Sequence, residues 1–99
     1  MGVGREDSFE VISTGYPSLD YILVVDHLPE AGETGILKTP FTLERGSPGG
    51  CAANIAVGCS RMGLSSAVAV PLGRDTAGDE FLRVLREEGV DDRLVQRVA

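Results

Sequence analysis

Two adjacent glycines and one amide side chain stand out as residues that could bind a small molecule. Gly49 and Gly50 close a loop, and Asn54 follows on the first turn of a predicted helix. Glycines allow a ligand to approach the backbone closely, and a helix start offers unpaired N–H donors. The amide adds two donors and one acceptor. This spacing favours part of a site for a polyhydroxylated small molecule, although glycines that serve only a loop-to-helix turn would give the same pattern.

The two cysteines and the single histidine do not form a pattern typical of a metal or redox site. Cys51 and Cys59 fall in one predicted helix, where a rise of 1.5 Å per residue separates them by roughly 12 Å. A disulfide needs Cα atoms within about 7 Å of each other. His27 is remote from both in sequence. We therefore expect reduced thiols and no metal site, and a redox or metal function is the least favoured alternative.

The composition limits the class of protein. The chain has 99 residues, enough for one small domain, and 42% of them are hydrophobic. Its net charge of −6 includes no basic stripe, so we expect neither a nucleic-acid partner nor binding to an anionic membrane. No targeting segment and no apolar run of membrane-spanning length is visible. These features predict a cytoplasmic protein.

The elements that would position the glycines begin with β-strands. Residues 9–14 are rich in β-branched side chains and predict a first strand. Asp20 stands before a nearly continuous apolar run at 21–25, which predicts a strand buried on both faces. Residues 34–45 alternate weakly around Pro40. They predict two short edge strands or a hairpin that protrudes from the core, as lids do.

Helices and strands alternate after the glycine pair. A helix is expected over residues 50–62, and its scarcity of charged residues predicts that it is largely buried. A short buried strand follows at 67–72. The next helix, over 76–88, is expected to begin in a capping box formed by Thr76 and Asp79.

Glycine also marks both predicted helix ends, at Gly63 and Gly89, where it can take the left-handed conformation. Residues 94–98 begin a further strand. The alternation predicts an α/β fold with right-handed crossovers. Because a parallel sheet needs more strands and helices on both faces than this chain provides, we expect the fold to be incomplete.

Short motifs occur in a specific order along residues 11–91. They are Gly15 with Asp20, Leu28-Pro29-Glu30 with Gly32-Glu33-Thr34, Gly49-Gly50 with Asn54, Arg61-Met62-Gly63, Gly73-Arg74-Asp75-Thr76-Ala77-Gly78-Asp79, and Gly89-Val90-Asp91. Each motif is weak alone. Their order and spacing make the chain resemble the N-terminal part of the ribokinase-like (PfkB) carbohydrate kinases.

The resemblance implies a role for each residue of the candidate site. Asp20 would accept hydrogen bonds from two hydroxyls of a sugar or nucleoside, and Asn54 would contact another. Gly49 and Gly50 would let the substrate lie against the backbone. Residues 34–45 would belong to a β-lid that closes over the substrate and forms a homodimer contact.

The resemblance also implies a fold and an activity. Residues 1–99 would be the N-terminal portion of an incomplete ribokinase-like (Rossmann-like) sandwich. The complete enzyme would transfer the γ-phosphoryl group of ATP with Mg²⁺, using a base Asp in a C-terminal Gly-Ala-Gly-Asp type motif that this chain lacks. Capping explains Asp75 and Asp79 better than catalysis does, so we assign no catalytic residue and expect no tight ATP binding. A non-catalytic relative that binds a sugar or a partner is the alternative.

Overall fold

Two parallel two-stranded sheets, joined through two consecutive strands, pack with two helices to form the core of the chain. The structure is a computed structural model that describes residues 8–42 and 45–99. Within them the elements, in chain order, are β1 (Val11–Thr14), β2 (Ser18–Asp20), β3 (Ser47–Gly49), α1 (Cys51–Arg61), β4 (Ser66–Ala69), β5 (Pro71–Gly73), α2 (Thr76–Glu87) and β6 (Gln96–Val98). This alternation of strands and helices confirms the predicted α/β fold class.

The run formed by β4 and β5 lies at the centre of the sheet. β1 pairs in parallel with β4, and Val11 stands opposite Ser66. β5 pairs in parallel with β6. Ala67 of β4 also bridges Asp91 in parallel, so the chain that follows α2 runs along the edge of β4 that β1 leaves free. A helix separates the two strands of each parallel pair, as βαβ units require.

The core lies between the sheet and both helices. Its buried hydrophobic residues are Ala52, Ala53, Ala56, Val68, Val70, Leu72, Phe81, Leu82, Leu85 and Val90. Two buried serines connect the sheet to α1: the Ser13 hydroxyl donates to the Ala52 carbonyl (2.6 Å), and the Ser66 hydroxyl donates to the Ala56 carbonyl (2.7 Å). Small side chains on α1 allow its backbone to come close enough to the strands for these bonds.

Both helices end as the sequence predicts. Gly63 and Gly89 have φ angles of +90° and +79°, and each directly follows the C-cap residue of its helix. The amides of Leu64 and Val90 then donate back to carbonyls in the last turn, at 3.0 Å in each case. This pattern is the Schellman motif. Of the helices within the described residues, none is long and apolar enough to cross a membrane.

The apolar run at 21–25 is not the doubly buried strand that we predicted. β2 ends at Asp20, and within the run Val25 forms one antiparallel bridge, to Leu37. Ile22 is 85% exposed. The reason is that the end of the run forms one strand of a two-stranded hairpin, and no second layer of described residues covers the side chains of the run.

The predicted lid segment pairs with this apolar run. Two backbone hydrogen bonds, of 3.0 and 2.7 Å, join residues 24–26 to residues 36–38. We call residues 24–38 the lid hairpin. The prediction over 34–45 was two short edge strands or a hairpin, and the observed pairing joins part of the segment to residues that precede it. Residues 43 and 44, at the end of that prediction, lie outside the described residues.

Helix α1 begins and ends within one residue of its predicted limits, but it is buried on one side only. Ala52, Ala53 and Ala56 contact the core. On the opposite side Ile55 is 51% exposed, and Met62, just beyond the helix, is 74% exposed. The prediction of a largely buried helix is therefore wrong for this side, because the described residues supply a sheet for one face of α1 and no layer for the other.

Helix α2 begins with a cap one residue earlier than predicted. Asp75, not Thr76, is the N-cap residue, and its carboxylate accepts a hydrogen bond from the Gly78 amide at 2.8 Å. The side chain of Asp79 instead pairs with Arg97 at 2.8 Å. Both aspartate and threonine are favoured N-cap residues, so the sequence alone is compatible with a helix capped by Asp75 or by Thr76.

Arginines neutralise carboxylates that lie near the core. Glu80 is only 6% exposed, and Arg83 makes two hydrogen bonds of 2.8 Å to its carboxylate. These bonds lower the pKa of Glu80, although its burial opposes the shift. Arg61 binds Glu88 in the same two-pronged way and lowers the pKa of that carboxyl. The second pair also joins the C-terminal ends of the two helices.

Replacing Asp75 tests the observed cap. Asp75→Ala leaves the Gly78 amide without its acceptor, and we expect the free energy of unfolding to fall by about 1 kcal/mol. Thr76→Ala is the matched control and should change it by less than about 0.5 kcal/mol. Urea denaturation followed by circular dichroism measures both. If Thr76→Ala lowered the free energy of unfolding more than Asp75→Ala did, the N-cap would be Thr76, as the capping box predicted.

Candidate functional site

The antiparallel contact between β2 and β3 places a carboxylate beside the glycine pair. Ser18 stands opposite Gly49, and Asp20 stands opposite Ser47. A Cβ atom on Gly49 would collide with the Asp20 carboxylate and would lie 2.7 Å from the Ser18 hydroxyl. That hydroxyl donates to the Asp20 carboxylate at 3.1 Å. Only glycine at position 49 leaves the carboxylate in this position.

Gly50 is the N-cap residue of α1 and has a φ angle of +87°. This left-handed backbone favours glycine, and a Cβ atom here would collide with the Tyr16 carbonyl oxygen. No side chain of the described residues caps this helix start. The predicted junction of a glycine pair with a helix N-terminus is therefore present, and Ala52 and Ala53 of its first turn are buried.

Asn54 lies on the first turn of α1, as predicted, and is exposed. The backbone N–H of Asn54 donates to the Gly50 carbonyl at 3.1 Å. The side-chain amide takes no part in this helix hydrogen bond. The side chain lines a cavity of about 290 Å³ between the two helices, together with Ser47, Pro48 and the Arg61–Glu88 pair. This cavity is not the one that Asp20 lines.

Asp20 lines a second cavity, also of about 290 Å³, which extends along the residues on either side of the lid hairpin, 20–24 and 39–42. Tyr21 and Phe41 contribute aromatic rings to its wall, and Arg45 and Ser47 contribute polar groups. Ser47 lines both cavities. The structure thus brings Asp20, the glycine pair and the helix start together, and it places Asn54 on the adjoining cavity across Ser47.

Ser18 and Ser47 are polar residues of this site that our sequence reasoning missed. Ser18 stands two residues before Asp20 in β2, so the two side chains share one face, but the sequence predicted a strand only after Asp20. No local signal existed for Ser47, because its place opposite Asp20 depends on the pairing of two distant strands.

The arrangement suits a ligand that carries several hydroxyl groups. A carboxylate only accepts hydrogen bonds, whereas hydroxyl side chains both donate and accept. A polyol presents donors and acceptors on adjacent carbons, so it can satisfy both kinds of group. We assign no proton-transfer group within this arrangement.

The other chemically active side chains lie outside this arrangement. Cys51 is exposed and Cys59 is partly buried, and both are free thiols. Asp75 caps α2, and Asp79 pairs with Arg97. Across residues 8–42 and 45–99 there is no group of three or more His, Cys, Asp or Glu side chains that could hold a metal ion.

A family comparison covers nearly the whole chain. Residues 9–99 match the sequence model of the pfkB family carbohydrate kinases. Among curated proteins, the chain is similar to a nucleoside kinase from Methanothermobacter thermautotrophicus, at 32% identity over 83% of this chain and 25% of that protein. It is also similar to fructokinase-1 from Zea mays, at 34% identity over 93% of this chain and 25% of that protein.

A comparison of structures agrees with the sequence match. The nucleoside kinase of Methanocaldococcus jannaschii, described as an archaeal member of the ribokinase family, superposes with a TM-score of 0.67 and 26% identity. The match covers 88% of this chain and 28% of that protein. The chain therefore spans about a quarter of the length of the curated relatives it matches.

Two glycine substitutions test the backbone of the site. Gly50→Ala places a Cβ atom against the Tyr16 carbonyl at a left-handed φ angle, so we expect a loss of about 1–3 kcal/mol in the free energy of unfolding. Gly58→Ala is the control. Gly58 lies inside α1 with open space around it, so alanine should stabilise the chain by roughly 0.5–1 kcal/mol. Thermal denaturation distinguishes the two, and equal effects would contradict the strain at Gly50.

Proposed function

Because the chain belongs to the pfkB family of carbohydrate kinases, we propose that it forms the substrate-binding part of a kinase that phosphorylates a hydroxyl of a sugar or nucleoside. The observation that carries the proposal is the Asp20 carboxylate held beside Gly49 by the pairing of β2 with β3. The Asp20 carboxylate and the hydroxyls of Ser18 and Ser47 supply the kinds of acceptor and donor that a polyol needs.

Each site residue has a distinct role in this proposal. Asp20 accepts hydrogen bonds from two substrate hydroxyls, and Ser18 holds the carboxylate in place through their 3.1 Å hydrogen bond. Gly49 and Gly50 let the substrate contact the backbone. Asn54 contacts a further hydroxyl, which requires a substrate that reaches past Ser47 into the adjoining cavity.

The phosphoryl donor is proposed to be ATP with Mg²⁺, as for the family. Among the described residues no group of three or more His, Cys, Asp or Glu could hold a metal ion, and we assign none of these residues to Mg²⁺-ATP. We therefore derive no step of phosphoryl transfer from them. In this proposal the nucleotide and the catalytic base belong to a part of the kinase domain that corresponds to the unmatched three-quarters of the relatives.

The lid hairpin is proposed to close over the bound substrate. It borders the cavity of Asp20, so movement toward the glycine pair would exclude water from the reacting hydroxyl. Its exposed apolar side chains would also suit a contact between two copies of the protein. We place the enzyme in the cytoplasm, with no nucleic acid or membrane as partner.

A non-catalytic binding protein is the second candidate. The observation in its favour is that the described residues supply acceptors and donors for a substrate but no assigned catalytic group. In that case the chain would bind a sugar, nucleoside or partner without phosphorylating it.

Binding by Asp20 can be tested by titration. We expect adenosine, ribose or fructose to cause saturable amide shifts in NMR spectra of the full chain, and Asp20→Asn to weaken binding by about tenfold or more, because a charged acceptor is lost. Glu87→Gln is the matched control, since Glu87 is an exposed carboxylate on α2. The absence of saturable shifts with all three compounds would contradict the proposed site.

An assay of phosphoryl transfer tests whether this chain binds substrate without catalysing the reaction. We expect the 99-residue chain to form no phosphorylated product from ATP, Mg²⁺ and the same three compounds, because no base is assigned in it. ³¹P NMR of the reaction mixture measures the product. Turnover that survives purification to homogeneity would overturn the division of roles proposed above.

A further inference from the structure

The lid hairpin holds the only histidine of the chain between two carboxylates. Nδ1 of His27 lies 3.0 Å from Oδ1 of Asp26, and Nε2 lies 3.6 Å from Oε1 of Glu33. Asp26 and Glu33 are seven positions apart in the sequence, before and after the tip of the hairpin. The two nitrogens of one imidazole ring therefore face acidic side chains from both sides of the tip.

The same two carboxylates bind the backbone of the hairpin. Oδ1 of Asp26 accepts hydrogen bonds from the backbone N–H groups of His27 (2.8 Å) and Ile36 (3.1 Å), and the second of these bonds crosses the hairpin. Oε1 of Glu33 accepts from the backbone N–H of Glu30 at 2.9 Å. A change of charge beside these two oxygens therefore acts on the hydrogen bonds that order the tip.

Packing contributes little to the order of the lid hairpin. The side chains of Leu28 and Ile36 are 87% and 67% exposed. A two-stranded hairpin without a covered apolar face is only marginally stable in water. Local hydrogen bonds and charges therefore have a large influence on how often the hairpin is formed.

The protonation state of His27 decides what the ring offers to the two carboxylates. A neutral imidazole has one N–H donor and one acceptor nitrogen, whereas a carboxylate only accepts. In either neutral tautomer one ring nitrogen presents a lone pair to a carboxylate. The imidazolium ion donates from both nitrogens and has the opposite charge. His27 is also the only basic residue in 26–33, a segment with three acidic residues.

We propose that protonation of His27 stabilises the lid hairpin, which makes the hairpin more ordered in mildly acidic than in neutral solution. Histidine changes charge between about pH 5 and 8, where aspartate and glutamate remain ionised. The stabilising form is the protonated one, so its contribution is present at the lower end of this range and is lost as the pH rises. Glu30 and Lys38, the other charged residues of the hairpin, form no ion pair with His27 among the described residues.

The expected effect is moderate because all three side chains are partly exposed. The exposed fractions are 53% for His27, 35% for Asp26 and 52% for Glu33. Solvent and salt screen charges at such exposure, and exposed ion pairs typically change an equilibrium constant by about fivefold or less. A marginal hairpin responds measurably to a change of this size, whereas a well-packed element would not.

Amide hydrogen exchange in the full chain tests the proposal. The N–H groups of Asp26 and Lys38 form the two backbone hydrogen bonds across the hairpin. NMR measures their exchange rates, and division of the intrinsic rate at the same pH by each measured rate gives a protection factor. We expect both factors to be about two- to fivefold larger near pH 5.5 than near pH 7.5.

Three substitutions separate His27 from other titrating groups. His27→Gln stays neutral and can still form hydrogen bonds, so its protection factors should be equal at the two pH values. Glu33→Gln keeps an oxygen that can accept from the Glu30 N–H but removes one negative charge, so the pH effect should be smaller than in the wild-type chain. Glu87→Gln, on α2, is the control and should keep the wild-type pH effect.

Three results would overturn the proposal. The first is equal or lower protection near pH 5.5 in the wild-type chain. The second is a pH effect that persists in His27→Gln, which would assign it to another group. The third is an unchanged pH effect in Glu33→Gln, which would show that His27 does not bridge the two carboxylates. The measurement needs no substrate, so its failure would leave the proposed function untouched.

Discussion

The close approach of β2 to β3 is the constraint on which the site depends. The two strands can pair with the Asp20 carboxylate against Gly49 only because that residue has no side chain. The next residue, Gly50, turns the chain through a left-handed conformation and starts α1. The two consecutive glycines thus have different roles: Gly49 leaves room for a carboxylate, and Gly50 provides the left-handed backbone from which α1 begins.

The sheet fixes this junction from the other side. Ser13 and Ser66 donate hydrogen bonds from β1 and β4 to carbonyls of α1, and the alanines between them keep the helix close to the strands. The Arg61–Glu88 pair and a hydrogen bond from Ser60 to the Glu88 carbonyl join α1 to the end of α2. Hydrogen bonds and packing therefore hold the helix that follows the glycine pair, whereas apolar side chains of the lid hairpin such as Leu28 and Ile36 are mostly exposed.

The sequence predicted best what local chemistry decides. The helix ends at Gly63 and Gly89, and the glycine pair before α1, follow from backbone preferences that any environment would express. Distant pairing could not be predicted. The apolar run at 21–25 looked buried because its composition is that of a covered strand, and its exposure depends on which layers the rest of the chain supplies. The division of the site into two cavities on either side of Ser47 also follows from β2–β3 pairing, and no local pattern records it.

The position of the lid hairpin in the chain has a consequence for assembly of the sheet. Thr14 and Ala69, which join β1 to β4, are 55 residues apart in sequence, whereas Gly73 and Arg97, which join β5 to β6, are 24 apart. Loop-closure entropy rises with the logarithm of loop length, so the first pairing costs about 0.7 kcal/mol more than the second. The pairing of β5 with β6 therefore costs less loop-closure entropy than the pairing of β1 with β4. A ligand that bridges β2, β3 and the hairpin would shorten the free loop between β1 and β4 and offset that difference.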